Sequence, residues 1–278
     1  MMAWRTGLLL FALGSLLAGC ASAKLLTRSY PAPTADELLA VVRARQAAVS
    51  AMNVEARATS WLSGERVRGT VQMLVGRQGQ LRFEAEVALQ GTVALLAVDS
   101  GQFSFVDNQR HVFRKGPACP ANVAAMIRIP LAPAEVAAIL LGDAPLPEDS
   151  SATQVTWDGA AAADVLVLPG PGAATFWLGL RRPNPAVAAW DVVYLEGQAP
   201  TSRERWRVAY EDLERAGPVA LPRRIRFAEP GKDWDDGVEI KIRERALNPT
   251  FPAGAFTLVE PSGYTVEQAP CPGIAGPR

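Results

Sequence analysis

Gln80-Leu81-Arg82-Phe83-Glu84-Ala85-Glu86-Val87-Ala88-Leu89 alternates residue by residue. Leu81, Phe83, Ala85 and Val87 fall on one face, and Arg82, Glu84 and Glu86 on the other. A period of two with one charged face predicts an antiparallel strand covered on one side. Upstream, the same reading gives strands at Met52–Trp61 and Glu65–Val75. Downstream it gives Thr92–Val98, Gln102–Asp107 and Arg110–Arg114. Turn signals separate them: Ser63-Gly64, Gly76 to Gly79, Gln90-Gly91, Ser100-Gly101 and Asp107-Asn108. Connections this short favour a meander of neighbouring antiparallel strands.

The pattern breaks at Gly116-Pro117. Pro120 to Arg128 and Pro133 to Leu141 carry apolar residues at helical spacing, with Pro133 suited to a first turn and Gly142 just past the end. Asp143 to Ser150 reads as a loop. Strands resume at Thr153–Trp157, Asp164–Leu168, Thr175–Arg181, Trp190–Leu195, Arg203–Tyr210, Arg223–Phe227 and Gly237–Arg245. Ahead of all strands, Thr34-Ala35-Asp36-Glu37 is a capping box that opens an amphipathic helix to about Ser50. A sheet of about 11–12 strands must curl, split or close. The expected fold is mainly β (α+β): one curled antiparallel sheet with an N-terminal helix and a central helical lid packed into its concave face. One domain is expected over 34–260, followed by an irregular tail over 261–278.

The N-terminus sets the compartment. The apolar run from Gly7 to Gly19 follows Arg5, is too short to span a bilayer, and ends in Leu17-Ala18-Gly19-Cys20. This looks like a lipobox, with residues 1–19 removed and Cys20 carrying lipid; the other reading is an ordinary cleaved signal with an incidental cysteine. Residues 20–33, with prolines at 31 and 33, suit a tether. Lys and Arg total 28 and Asp and Glu total 28, so no basic surplus exists for a nucleic-acid partner. Once Cys20 is lipidated, Cys119 and Cys271 remain. In an exported chain they form one disulfide or stay as two buried thiols.

Enzymatic machinery is sparse. His111, the single histidine, lies on a predicted strand with no partner at motif spacing. No phosphate loop, HExxH or CxxC occurs, so no catalytic residue, metal or cofactor is expected. Asp233-Trp234-Asp235-Asp236-Gly237 reads as a weak calcium loop or, more plainly, as a hairpin turn. Arg203, Arg205, Arg207, Arg215, Arg223, Arg224 and Arg226 form either a positive stripe for anionic headgroups or an acidic partner, or a solvated outer face with Glu204, Glu211 and Asp212. The informative chemistry is apolar. Val54, Phe83, Val87, Leu95, Phe103 and Phe105 are inner-face candidates, joined by Met126, Ile127, Ile139 and Leu140 of the lid. They either fill the curled sheet or line a dry cavity for acyl chains.

Several stretches, taken in order, resemble one known group. They are the helix ending near Ser50, Val98-Asp99-Ser100-Gly101-Gln102-Phe103 with Val106-Asp107, and the run ending Gly116-Pro117. Ile129-Pro130-Leu131-Ala132-Pro133-Ala134-Glu135 then leads into Leu140-Leu141-Gly142. Leu221-Pro222-Arg223-Arg224-Ile225-Arg226-Phe227 and Leu247-Asn248-Pro249 ahead of Phe256 follow. This order is similar to the lipoprotein-localisation factors of the bacterial envelope, the LolA/LolB-like superfamily, and to related outer-membrane lipoproteins, from about Asp36 to Glu260. The resemblance implies a half-open β-barrel, lidded by helices, that holds lipoprotein acyl chains without covalent catalysis. The lipobox makes the layout similar to the membrane receptor rather than the soluble carrier. Ala21 then implies sorting to the periplasmic side of the outer membrane, with lipoprotein cargo and a soluble periplasmic carrier as partners of a monomer. Leu89 is the candidate for the receptor's protruding apolar residue. A structural or interaction lipoprotein with the same fold and no lipid transfer is the alternative. The two later cysteines and the long tail depart from the pattern.

Overall fold

The computed structural model describes residues 25–271 except 63–64, 128–130, 147–149, 171–172, 187–188, 200–202, 204 and 230. The stretch read as a lipobox, with Cys20, lies outside the described residues. After α1 (Ala35–Ala48) come β1 (Ala51–Leu62), β2 (Glu65–Gly76), β3 (Gln80–Val87), β4 (Gly91–Asp99), β5 (Gln102–Asp107) and β6 (Val112–Pro117). Two helices follow, α2 (Pro120–Ile127) and α3 (Pro133–Leu140). The second run of strands is β7 (Gln154–Asp158), β8 (Ala163–Pro169), β9 (Thr175–Arg181), β10 (Asp191–Gln198), β11 (Trp206–Ala216), β12 (Val219–Ala228) and β13 (Val238–Leu247), and β14 (Thr265–Gln268) closes the chain. Every stretch read as a strand forms one, and with β14 the sheet has 14 strands rather than the 11–12 expected. No helix among the described residues is long and apolar enough to cross a membrane.

The strands make one 14-stranded, unclosed sheet in the order β14-β6-β5-β4-β3-β2-β1-β13-β12-β11-β10-β9-β8-β7. Each run is a meander, and pairing of β1 with β13 joins the two. That pairing leaves β6 and β7 far apart, so the chain between them must cross the curled sheet. The crossing segment carries α2 and α3 and supplies the lid.

α1 begins as its capping box dictates. The Glu37 N–H donates to Thr34 Oγ1 at 3.2 Å, and Thr34 N–H donates to the Glu37 carboxylate at 2.7 Å. Leu38, Leu39 and Val42 enter the core. The joint between α1 and β1 is held by Asn248, which has φ 49°. Its side-chain oxygen accepts from Ser50 N–H at 2.8 Å, and its amide donates to Ala48 O at 2.9 Å. This explains the asparagine of Leu247-Asn248-Pro249: it tolerates the left-handed backbone and bonds both sides of the joint.

The tail corrects the expectation of an irregular terminus. β14 adds to the β6 edge in parallel, with Val266 opposite Phe113. It escapes a periodicity reading because four residues carry too little pattern. Gly116 lets the tail approach, since a Cβ there would sit 2.2 Å from Ala269 O. A Cys119–Cys271 disulfide spans 152 residues and fixes the tail beside α2. Before β14 the tail crosses the convex face, where the outward Arg82 donates to Ala255 O at 3.2 Å and Thr257 O at 3.3 Å.

Closing a loop this long stabilises by up to ~5 kcal/mol in the chain-entropy model. The C119S/C271S double variant is expected to lose about 2–5 kcal/mol in urea unfolding and to lose amide protection at Val266 and Gln268. Unchanged stability and protection would show that the tail is held without the bridge.

Candidate functional site

The concave face has a filled half and a hollow half. In the filled half, Leu38, Val42, Phe103, Phe105 and Ile139 pack into one buried cluster. The hollow half lies over β13, β1, β2 and β3. There Ala58 stands opposite both Gly69 and Ile240, Ser60 opposite Val67 and Val238, and Val71 opposite Ala85. These inward side chains are too small to span a curled sheet. They leave a cavity of about 220 Å³, with Val136 and Leu140 of α3 closing it from the lid side. Gly69 is required by the wall itself: a Cβ there would sit 2.8 Å from Glu86 O. The lining is overwhelmingly apolar. An emptied apolar core of ~150 Å³ stays dry and admits benzene, whereas drug-sized ligands use ~300–1,000 Å³. This cavity therefore suits one apolar chain segment, not a bundle of chains.

Of the sequence candidates, Phe83, Val87 and Leu140 line the cavity. Val54, Phe103, Phe105 and Ile139 are packed in the core instead. Leu95 faces outward, because it pairs with Glu84 of the charged face. Alternation fails to show this, since Ala97, Val106 and Phe113 are also buried on that convex side beneath the tail. The side chains of Met126 and Ile127 lie outside the described residues. The wall also has Ala58, Gly69, Val71, Met73, Ala85, Val136, Val238 and Ile240, none of them among the sequence's cavity candidates. The hollow itself is marked by the small members of this set, Ala58, Gly69 and Ala85, at inward positions.

No protein-family model matches the sequence, and no curated protein does. Solved structures share the architecture. A LolA superfamily protein from Nitrosomonas europaea superposes with a TM-score of 0.57 at 13% identity, over 82% of this chain and 99% of its own. A domain assigned to the outer membrane lipoprotein-sorting proteins, from Vibrio parahaemolyticus, gives 0.56 at 9% identity, over 81% of this chain and 97% of its own. A DUF1329 family protein from Desulfovibrio piger gives 0.55 at 9% identity, over 80% and 95%. The chain has a LolA-like fold.

In this LolA-like fold the lid is pinned by a buried polar cluster. Arg45 of α1 donates to Gly142 O and Ala220 O, each at 3.1 Å. Gln46 donates to Ala144 O at 3.0 Å, and the Tyr210 hydroxyl donates to Asp143 O at 3.2 Å. The Asp143 carboxylate faces Arg77 at 3.5 Å, and Arg77 Nε donates to Val49 O at 3.0 Å. Burial raises Asp143 to about 6, against the pull of Arg77 and Arg45. Burial likewise lowers Arg45 and raises Glu135, whose carboxylate accepts from Ala132 N–H at 2.7 Å and opens α3.

Leu89 sits at the tip of the β3–β4 turn, two residues past Val87 of the cavity wall. It is fully solvent-exposed and has φ 67°. A bulky residue in the left-handed region costs roughly 1–2 kcal/mol, and an exposed leucine gains nothing from burial to offset it. Val67, 42% exposed, lies at the same rim.

The remaining motifs are structural. His111 is exposed in a turn, with its ring 5.2 Å from Tyr264. Among the described residues no group of three His, Cys, Asp or Glu side chains could hold a metal ion. Residues 233–237 form a short turn in which Arg207 and Arg226 lie over Trp234 at 5.1 and 4.9 Å. The arginine stripe is largely paired: Arg205 with Glu196, Arg223 with Glu214, Arg224 with Glu211 and Asp212, and Arg226 with Glu211. It is an outer face of mixed sign.

A carboxyl raised by folding stabilises fully below its unfolded value, near 3.8, and loses that contribution as pH rises through about 6. Asp143→Asn removes the titration. Urea unfolding at pH 4, 5, 6 and 7 is expected to show the wild type losing roughly 2–3 kcal/mol relative to the variant across that window. Parallel curves would contradict the burial of an ionisable Asp143.

Proposed function

We propose that this protein is a periplasm-facing lipoprotein, held in the outer membrane through lipid on Cys20, that binds acyl chains in its cavity and assists lipoprotein localisation without catalysis. Its cargo is a lipoprotein's acyl chain, received from a soluble carrier. The observation that carries this reading is the apolar cavity in a LolA-like fold, opening beside an exposed leucine held in a strained turn. The sorting role named for the Vibrio parahaemolyticus domain points the same way. The alternative, an envelope interaction lipoprotein without lipid transfer, draws on the cavity's size, about 220 Å³, which holds one short segment rather than several chains.

Ala58→Leu fills the hollow half from its centre. Each added methylene buried there contributes about 0.8 kcal/mol, so stability is expected to hold or rise. Binding of a fluorescent fatty-acyl probe to the unlipidated chain is expected to weaken at least tenfold. Unchanged probe binding would place the ligand elsewhere, and no binding by the wild type would favour the alternative. Leu89→Asn relieves the turn and removes the apolar tip. Probe binding is expected to stay within twofold while transfer of the probe to vesicles slows by tenfold or more. Unaltered transfer would remove Leu89 from the mechanism.

A further inference from the structure

The stretch that the sequence reads as a plain tether is docked on the sheet. The Leu26 N–H donates to Gly159 O at 2.8 Å, and the Trp157 indole donates to Leu26 O at 2.8 Å. Arg28 pairs with Asp164 at 2.5 Å, and the Tyr30 hydroxyl donates to the other oxygen of that carboxylate at 2.8 Å. Asp164 is wholly buried, so leaving it without these partners would be strongly destabilising. Tyr30 stands edge-on to Trp157 and Trp190, with ring centroids at 6.2 and 5.6 Å. The Arg182 guanidinium covers its face at 4.7 Å.

These contacts gather at one rim, made by the β7–β8 turn and the β9–β10 connection. Strand directions alternate without a break from β4 to β7 through β1 and β13. That rim is therefore shared with the β2–β3 turn and lies opposite the rim of Leu89 and Val67. Its composition is distinctive. Leu25 and Leu26 are 69% and 51% exposed, beside half-buried tryptophans and two arginines. Exposed aliphatic groups backed by Trp, Tyr and Arg suit the boundary between water and lipid.

We infer that this rim lies against the lipid bilayer and that the docked segment 25–30 is a strap holding the cavity mouth away from it. The inference rests on the lipid-bearing Cys20 of the proposed function. Four residues lie between Cys20 and Leu25, and the five Cα steps reach roughly 17 Å at full extension. Strands of eight to twelve residues in β1–β3 set the rims roughly 25–40 Å apart. With the strap docked, the mouth cannot face the bilayer that holds Cys20. It is presented to the periplasm, where cargo arrives. Release of the strap frees the chain as far as Pro33 and lengthens the reach to roughly 45 Å, enough to turn the mouth to the membrane.

The test uses the full lipidated protein in vesicles of phosphatidylethanolamine and phosphatidylglycerol. An environment-sensitive fluorophore is placed at Ala160→Cys on the strap rim or at Gln90→Cys on the mouth rim, with a headgroup-level quencher lipid present. Quenching at 160 is expected to exceed that at 90 by at least twofold, and adding R28A/Y30F is expected to abolish the difference. Equal quenching at the two sites, or stronger quenching at 90, with the strap intact overturns the orientation. A difference that survives R28A/Y30F overturns the strap's part in it. The mass of the mature N-terminal peptide separates the two readings. A peptide without a lipid adduct overturns the Cys20 reading and the orientation with it, whereas a lipidated peptide with equal quenching overturns the orientation alone.

Discussion

The ladder between β1 and β13 governs the rest of the molecule. Without it the chain is two separate meanders, each with its own open faces. With it, Met52 to Ser60 pair along Leu247 to Val238, and the last strand of one meander and the first of the other become remote. The link between them must then cross the concave face, and the apolar residues of α3 are buried by that crossing. α1 completes the arrangement by holding the crossing segment, with Arg45 and Gln46 bonding to carbonyls of residues 142 and 144. A sheet this broad must curl. Once curled and partly covered, its concave face is either filled or hollow according to side-chain volume alone.

Volume decides where the hollow lies. Leucines and phenylalanines fill one half. Ala58, Ser60, Gly69 and Ala85 leave the other half open, although no backbone constraint except that at Gly69 prevents larger residues there. The small side chains of the wall forgo packing contacts that leucines or phenylalanines would make there. A domain whose net stability is typically ~5–15 kcal/mol does not carry such a void lightly. The strained, exposed Leu89 at the same rim is a second local cost without a structural return. Under the proposed function, both serve the ligand and its transfer.

Much of this was legible in the sequence. Period-two alternation located thirteen strands, and the Thr34–Glu37 box, Pro133 and Gly142 bounded helices that form as expected. What escaped did so for physical reasons. β14 is held by a disulfide and a close approach at Gly116 rather than by its own four-residue pattern. Apolar character is no guide at Leu95, because both faces of its strand are buried, one by the core and one by the tail. The cavity wall was missed because a void is made by small side chains, whereas a search for ligand-lining residues selects large ones. Residues 25–30 read as a tether because their partners, Gly159, Asp164 and Trp190, are more than 130 residues away in the chain.

The central claim is that the hollow half of the concave face receives an acyl chain. Nuclear Overhauser contacts from a ¹³C-labelled octanoyl chain to the unlipidated protein test it most directly. Contacts to the methyl groups of Val71, Met73, Val136 and Ile240, with none to Ile139 or Leu38, are the predicted result. Contacts confined to the convex face, or none to those four methyl-bearing residues under saturating ligand, would contradict it.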